Sequence, residues 1–527
     1  MRFFNTAGPV KPDLHYCLPP LTRWHLPDLL RLIEQQKYFV LHAPRQTGKT
    51  SCLLALRDYL NARDQYHCIY VNVEVGQSAG ENVTEAMRAI IGQSLQQAEP
   101  VVGPIVPADE MVVELTRWGG HTAFNRLLTL WSQRATRPLV LLLDEIDSLI
   151  GDTLISILRQ LRTGYTDRPA AFPQSVVLCG VRDVRDYRIH TSSEKAIVTG
   201  GSAFNIKATS LRLGNFSRAE METLYGQHTA ATGQVFQAEA LERLWELTQG
   251  QPWLINALGY EICFEMPAGQ DRTQPIGMAL VDEAKENLIL RRETHLDQLA
   301  DKLREERVRR VIEPMLAGQE LAEQFHPDDV NYLVDLGLIE RVVGSTLIVS
   351  NPIYREIIPR ELGWTIQEGI VQETAWYIDP DGRLNLPKLL VAFQDFFRQH
   401  SEHWVERFQY KEAGPQLLMQ AFLQRIVNGG GRIEREYGLG RLRTDLLVVW
   451  FHPAGIQRVV IELKLLHKSL EQTLTQGLQQ TWEYLDRCGA EEGHLLIFDR
   501  TVGKAWEDKL FRRQETVRGQ VIQVWGL

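Results

Sequence analysis

The chain lacks the features that mark secreted, membrane-spanning and strongly basic proteins. It has six cysteines in 527 residues, Cys17, Cys52, Cys68, Cys179, Cys263 and Cys488, and no two form a CxxC pair. That scatter argues against a disulfide framework or a zinc knuckle. It reads as separate thiols in a reducing compartment, so a cytoplasmic setting is expected. No apolar run approaches the ~20 residues needed to span a bilayer, and the opening residues lack the basic-then-apolar pattern of a secretion signal. No internal repeat or low-complexity segment is visible. Positive charge is not in excess either: 57 Lys and Arg face 66 Asp and Glu, a formal net charge of −9. Contact with nucleic acid therefore has to come from a local patch.

What is present is an ordinary globular composition, 44% hydrophobic and 23% charged, over a length that holds roughly two to four domains. The stretch Tyr38 to Leu56, YFVLHAPRQTGKTSCLLAL, has the order strand, loop, helix. A β-rich run, Tyr38-Phe39-Val40-Leu41, feeds the loop Pro44, Arg45, Gln46, Thr47, Gly48, Lys49, Thr50 and Ser51, and an apolar helical pattern follows. Backbone N–H groups of such a loop, with those at the helix start, cradle phosphate oxygens. Lys49 is placed to reach the β- and γ-phosphates and the Thr50 hydroxyl to bind Mg²⁺, with ATP as the expected nucleotide. Ala43, followed by Pro44, stands where the pattern has its first glycine. Ala fits there if its φ is negative.

Leu139 to Leu143 is a five-residue apolar run that predicts a buried parallel strand, ending in Asp144-Glu145-Ile146-Asp147. Ligands of open α/β sheets bind at such carboxyl ends. Asp144 is placed to hold Mg²⁺ with the Thr50 hydroxyl, and Glu145 to orient or deprotonate the attacking water. Asp147 is expected to cap the following helix. Ser175 to Asp183 predicts another buried strand with a polar tip. There Arg182 is either a γ-phosphate sensor or a surface arginine in a cluster with Arg185 and Arg188. Tyr187 to Asn205 is polar and lacks apolar periodicity. Residues 1–37 carry the helical stretch Pro27 to Gln36, expected to pack on the sheet, with capping of the adenine as the alternative.

These residues together resemble the additional-strand P-loop ATPases, within them the AAA-like and STAND-like group. SVVLCGVRDVRDY resembles that group's first sensor region. Gly250-Gln251-Pro252-Trp253-Leu254 resembles the G-x-P motif that opens a lid helix. The resemblance implies an ATPase core over 1–215 and a helical lid over 216–295. It also implies a winged-helix-like module over 296–362, with a charged helix over Leu303 to Met315, a helix over Pro327 to Leu336 and a hairpin turning at Gly344-Ser345. The helix DDVNYLVDLG is acidic, whereas a DNA-reading helix needs Lys or Arg toward phosphates. A packing or regulatory role is therefore expected of it.

After a linker expected over 363–395, the chain changes character. Helices are predicted near 387–399 and 416–427, and a strand-rich block follows. Asp445 opens the strand Leu446 to Phe451, and Arg458 to Leu465 returns carrying Glu462-Leu463-Lys464. Period two puts Glu462 and Lys464 on one face and Leu463 on the other. Asp445 and Glu462 could hold Mg²⁺ in an oxygen cage that activates water on a phosphodiester, while Lys464 stabilises the developing charge. Gln480 and Tyr484 lie one helical turn apart on the next helix. Arg432, Arg435, Arg441, Arg443, Arg458 and Lys468 lie around these acids in sequence and form a basic patch within an acidic chain.

Asp445, Glu462-x-Lys464 and Gln480-x-x-x-Tyr484 resemble the RecB-like branch of the PD-(D/E)XK nucleases, which implies an α/β restriction-endonuclease-like domain over 396–527. The family's upstream acidic residue has no clear counterpart. The helix there offers Gln416, Gln420 and Gln424, with Glu412 outside it and Glu434 or Glu436 on the strand side, so a second metal is open. The expectation is an ATP-dependent, Mg²⁺-requiring nuclease on DNA, able to form homo-oligomers and acting on foreign DNA or mobile elements. The alternative is a STAND-like nucleotide switch whose nuclease fold only binds nucleic acid.

Overall fold

The computed structural model describes residues 2–183, 188–190, 197–199, 204–291, 294–316, 325–342, 346–362, 377–407, 419, 422–423, 431–435, 446–466, 469–499, 501 and 504–527. They fall into two compact units. One comprises Met1–Glu293, His326–Arg341 and Val349–Asn351, and the other Thr294–Phe325, Val342–Ile348 and Pro352–Leu527. Among the described residues no helix is long and apolar enough to cross a membrane.

The first unit is built on a five-stranded parallel sheet. Its spatial order is His67–Asn72, Leu139–Asp144, Ser175–Gly180, Tyr38–His42, Lys207–Arg212. Parallel strands need helical crossovers on both faces, which is why these strands are apolar at almost every position. Val40, Leu141 and Leu178 pack with Phe124, Leu127 and Trp131 on one face. Phe39, Leu142 and Val177 pack with Leu53 and Leu56 on the other. Ser175–Gly180 separates the Tyr38–His42 strand from Leu139–Asp144, the inserted strand that an additional-strand ATPase requires. Helices Arg218–Thr232, Ala238–Thr248, Pro252–Tyr260 and Met278–Arg291 occupy the region expected as lid. Gly250, at φ 78°, lies so close under Phe216 that a Cβ would stand 2.1 Å from its carbonyl oxygen. Pro252 then opens the next helix in its first turn, where its missing N–H costs nothing.

Some expectations are corrected. Asp147 is not a helix cap. Helix Gly151–Thr163 begins after Ile150 with no side-chain cap, and Asp147 Oδ1 instead accepts a hydrogen bond from the Val181 N–H at 3.2 Å. The cause is a 3₁₀ turn at Ile146–Ser148 that delays the helix. The charged helix expected over Leu303 to Met315 lies at Glu306–Leu316, and a further helix, Thr294–Lys302, precedes it. Arg188–His190 pairs antiparallel with Ile197–Thr199 inside the stretch that showed no periodicity. The division between the units runs through the region expected as a winged-helix module. Helix Pro327–Asp335 belongs to the first unit, and residues 346–348 to the second. The Gly344-Ser345 turn lies outside the described residues.

The second unit carries a six-stranded mixed sheet. Its order is Gly431–Arg435, Leu446–His452, Gly455–Leu465, Glu492–Phe498, Gln520–Gly526, Phe511–Val517. The first three strands run antiparallel, the next two pairings are parallel, and the last is antiparallel. Helix Leu470–Cys488 makes the crossover between parallel neighbours. Val448, Val459 and Ile461 face Leu386, Leu389 and Phe393, while Leu447, Val449 and Val460 face Tyr484 and Leu485. Of the expected linker, 363–376 lie outside the described residues. Leu384 to Phe393 are core, not linker, because the Leu and Phe spacing of helix Leu386–Arg407 buries that face on the sheet.

Candidate functional site

The phosphate-loop sequence folds as a tight turn between strand Tyr38–His42 and helix Lys49–Ala62. Positive φ falls at Gln46 (56°) and Gly48 (91°), while Ala43 stays negative and buried, which is why alanine is tolerated there. The Thr47 hydroxyl donates to the Pro44 carbonyl at 2.8 Å and closes the turn. Lys49 is buried, and its Nζ donates to the carbonyls of Ala43 at 3.0 Å and Pro44 at 2.9 Å. The Ser51 hydroxyl accepts from the Val10 N–H at 3.0 Å. The Arg23 guanidinium donates to the carbonyls of Thr47 and Gly214 and lies over the Phe216 ring at 4.7 Å.

Asp144 is fully buried at the end of its strand. Its Oδ2 accepts from the Thr50 hydroxyl at 2.7 Å and the Tyr70 hydroxyl at 3.0 Å, and Oδ1 accepts from the Glu145 N–H at 3.0 Å. Burial, then the Asp144 charge, pushes the Tyr70 phenol well above its ordinary value. Glu145 is left-handed, at φ 57°. Burial first, then Asp147, raises its carboxyl above the usual carboxylate range, against the pull of Lys49.

Arg182 is not a surface arginine, since its side chain is 12% exposed. Its Nε lies 3.6 Å from Asp335 Oδ2, and the guanidinium sits 4.8 Å above the Tyr332 ring. His42 Nδ1 is 3.8 Å from Asp335 Oδ1, and Arg212 donates to the Val334 carbonyl at 2.9 Å. The acidic helix Pro327–Asp335 thus meets the basic residues at the carboxyl ends of three strands in its own unit. Arg185 lies outside the described residues.

Beside the loop a cavity of about 130 Å³ is lined by Gln46, Thr47 and Gly48, by the N-terminal segment, and by Phe216, Pro252 and Trp253. The Trp253 indole N–H donates to the Thr6 carbonyl at 3.0 Å and ties that segment to helix Pro252–Tyr260. Residues 5–18 therefore supply cavity wall, and helix Leu26–Glu34 buries Leu29 and Ile33 in the core.

In the second unit Glu462 is buried and its Oε1 is 2.6 Å from Lys464 Nζ. Both stand on one face of strand Gly455–Leu465, with Leu463 in the opposite core, as period two requires. Tyr484 is buried against the Glu462 face and Gln480 is half-buried one turn before it. Asp445 lies outside the described residues, as do Glu412, Gln416, Gln420, Gln424, Glu436, Arg441, Arg443 and Lys468. The residue after Asp445, Leu446, pairs with Ile461. Arg458 is exposed. Among the described residues no group of three or more His, Cys, Asp or Glu could hold a metal ion. Sequence reasoning missed Tyr70, Arg23 and Asp335, because none belongs to a motif and each acts across a long separation in the chain.

Residues 32–187 match the family model of an AAA domain. Fold, loop and family match together define the N-terminal part as an AAA-like P-loop ATPase domain that binds ATP. Among solved structures, the chain is similar to a Walker-type ATPase of Pyrococcus abyssi, at 14% identity over 67% of this chain and 99% of that one, with a TM-score of 0.44. It is also similar to the RuvB Holliday junction branch migration motor of Thermotoga maritima, at 14% identity over 62% and 90% with a TM-score of 0.31. Domain III of the Thermotoga maritima replication initiation protein DnaA aligns at 12% identity over 53% and 98%, with a TM-score of 0.33. No curated protein matches the chain at a significant level.

The Asp144 cluster generates a direct test. Tyr70→Phe removes a hydrogen bond to a buried carboxylate and is expected to lower stability by about 1.5–3 kcal/mol. The loss should shrink in an Asp144→Asn background. Denaturant unfolding of the four proteins measures both, and a neutral Tyr70→Phe removes the cluster's stabilising role.

Proposed function

We propose that this protein hydrolyses ATP and uses nucleotide state to govern Mg²⁺-dependent cleavage of nucleic acid, with DNA as the substrate class. The observation that carries the ATPase part is the 2.7 Å contact of Thr50 with buried Asp144 beside a lysine curled over its own loop. Lys49 exchanges two backbone carbonyls for phosphate oxygens when ATP enters. Thr50 and Asp144 present hard oxygen ligands and are the residues that would hold Mg²⁺, which supplies neutralisation of phosphate charge. Glu145 takes the proton of the attacking water. Lys49→Ala is expected to weaken ATP binding about a hundredfold. Glu145→Gln should keep binding and slow turnover by about 10²–10⁴-fold. Because the Glu145 carboxyl is held above its usual range and must be ionised to act, wild-type turnover should fall as pH drops through that raised value. That acid limb should vanish in Glu145→Gln. Equal turnover by both proteins removes the assignment.

The nuclease part is supported by the buried Glu462 with Lys464 Nζ at 2.6 Å, in the middle of a mixed sheet. The pairing of Leu446 with Ile461 sets the strand register from which Asp445 and Glu462 follow in sequence. In this reading Asp445 and Glu462 would hold Mg²⁺, Lys464 stabilises phosphate charge, and Gln480 and Tyr484 position the site. A role against foreign DNA or on mobile elements rests on the family resemblance alone. DNA cleavage with Mg²⁺ and with EDTA tests the site. Asp445→Ala, Glu462→Gln and Lys464→Ala should each lose about a hundredfold or more in cutting, with DNA binding and ATP turnover retained. Variants that cut like wild type overturn it.

A second reading, the nucleotide-controlled assembly switch, is favoured by the Arg182–Asp335 contact. A carboxylate there competes with a γ-phosphate for the same guanidinium. Asp335→Asn should then raise ATP affinity several-fold and shift the ATP-dependent oligomeric state in sedimentation. Unchanged affinity and assembly reduce the contact to packing.

A further inference from the structure

One outer strand of the second unit's sheet presents an open edge. Phe511–Val517 stands at the end of the six-stranded order, with Gln520–Gly526 on one side and, among the described residues, no strand on the other. The two strands are joined by the two-residue turn Arg518-Gly519, at φ 47° and 87°, and pair in unbroken register from Val517–Gln520 to Phe511–Gly526. Such a turn is closed by a hydrogen-bonded pair, and bonded and non-bonded pairs then alternate. Phe511, Arg513, Glu515 and Val517 therefore turn their N–H and C=O groups toward the partner strand, while Arg512, Gln514 and Thr516 turn theirs outward. Those three are the exposed residues of the strand. Edges of this length are ordinarily blunted by lysine, proline or a bulge, and this strand has none of them.

The order of side chains sets what this edge fits. A second copy laid antiparallel on it, with Gln514 opposite Gln514, brings the outward residues together as hydrogen-bonded pairs. Arg512 meets Thr516, Gln514 meets its counterpart, and each pair exchanges two backbone bonds. On the face toward helix Leu470–Cys488, Arg513 meets Glu515 twice across the two-fold axis, and Phe511 meets Val517 twice. Arg513 Nε lies 3.2 Å from Glu515 Oε1 of its own chain, and both side chains are more than a third exposed. Two copies therefore close four alternating charges into one cluster. The half-buried Phe511 and Val517, packed against the core under that helix, add an apolar contact at each end. Sliding the copy by two residues, the next register that keeps the backbone bonds, sets Arg513 against Arg513 or Glu515 against Glu515.

We propose that this edge pairs with the same edge of a second copy and joins two six-stranded sheets across a two-fold axis. An isologous contact needs a patch complementary to itself, and FRRQETV is so in the register that uses its whole length. A single strand pair buries less than the ~1,200 Å² of stable interfaces, so a weak dimer is expected, with a dissociation constant on the order of 10 µM. The pairing rests on neither the ATPase nor the nuclease reading.

The experiment is sedimentation velocity of the full chain without nucleotide, from about 1 to 100 µM, with thermal unfolding as the check on folding. Wild type should pass from monomer to dimer across that range. Arg513→Glu and Glu515→Arg each set like charges opposite one another and should weaken the dimer about tenfold or more. Mixing the two variants should restore it, because every facing pair is then of opposite charge, and a loss caused by misfolding does not recover on mixing. Gln514→Pro removes the outward N–H at the centre of the pairing, leaves the bonds to Gln520–Gly526 in place, and should also give monomer. A wild type that stays monomeric throughout overturns the proposal and leaves the edge to an extended segment of another protein. Dimers that persist in both charge variants place the interface elsewhere and overturn it, as does a mixture of folded variants that stays monomeric.

Discussion

The first unit depends on one buried carboxylate. Asp144 ends its strand without exposed surface and is held by the Thr50 hydroxyl, the Tyr70 hydroxyl and the Glu145 N–H. A charge in that position is tolerable only with such donors around it. Thr50 comes from the loop helix, Tyr70 from the strand beside Asp144, and Glu145 from the turn that follows. The same carboxylate therefore ties three elements together and sets where the phosphate loop sits against the sheet.

Charge arrangement explains the acidic helix Pro327–Asp335. As an isolated stretch it looks like a DNA-reading helix with the wrong sign. Within its unit, Asp335 meets Arg182 and His42 at the ends of two neighbouring strands, and Arg212 binds the Val334 carbonyl. Parallel strands all direct their carboxyl ends to one edge of the sheet, so basic groups gathered there also attract an anionic helix.

Legibility differed with the range of the interaction. Thr50 with Asp144 was readable because both end elements of strong local pattern and the chemistry names their meeting. Glu462 and Lys464 were readable from period two alone, and the strand sets them side by side. Asp147 is ambiguous in the sequence, since a helix cap and a loop tether share the same residue type and only the 3₁₀ turn at Ile146–Ser148 separates them. Residues 384–393 read as linker in the sequence because the sheet that buries their Leu and Phe side chains comes later in the chain.

By itself the sequence determined the strand, loop and helix around Lys49, the buried strand ending at Asp144, and the face shared by Glu462 and Lys464. All three follow from backbone periods and from side chains a few residues apart, which need no partner to be recognised. Only the tertiary structure decided that Ser175–Gly180 inserts between the two phosphate-site strands. It alone brought Tyr70 to Asp144 and placed Asp335 on Arg182. Those residues are separated by tens to hundreds of positions, and no local spacing encodes the meeting. It is decided by which apolar faces must be buried together, and polar groups carried on those elements meet as a consequence.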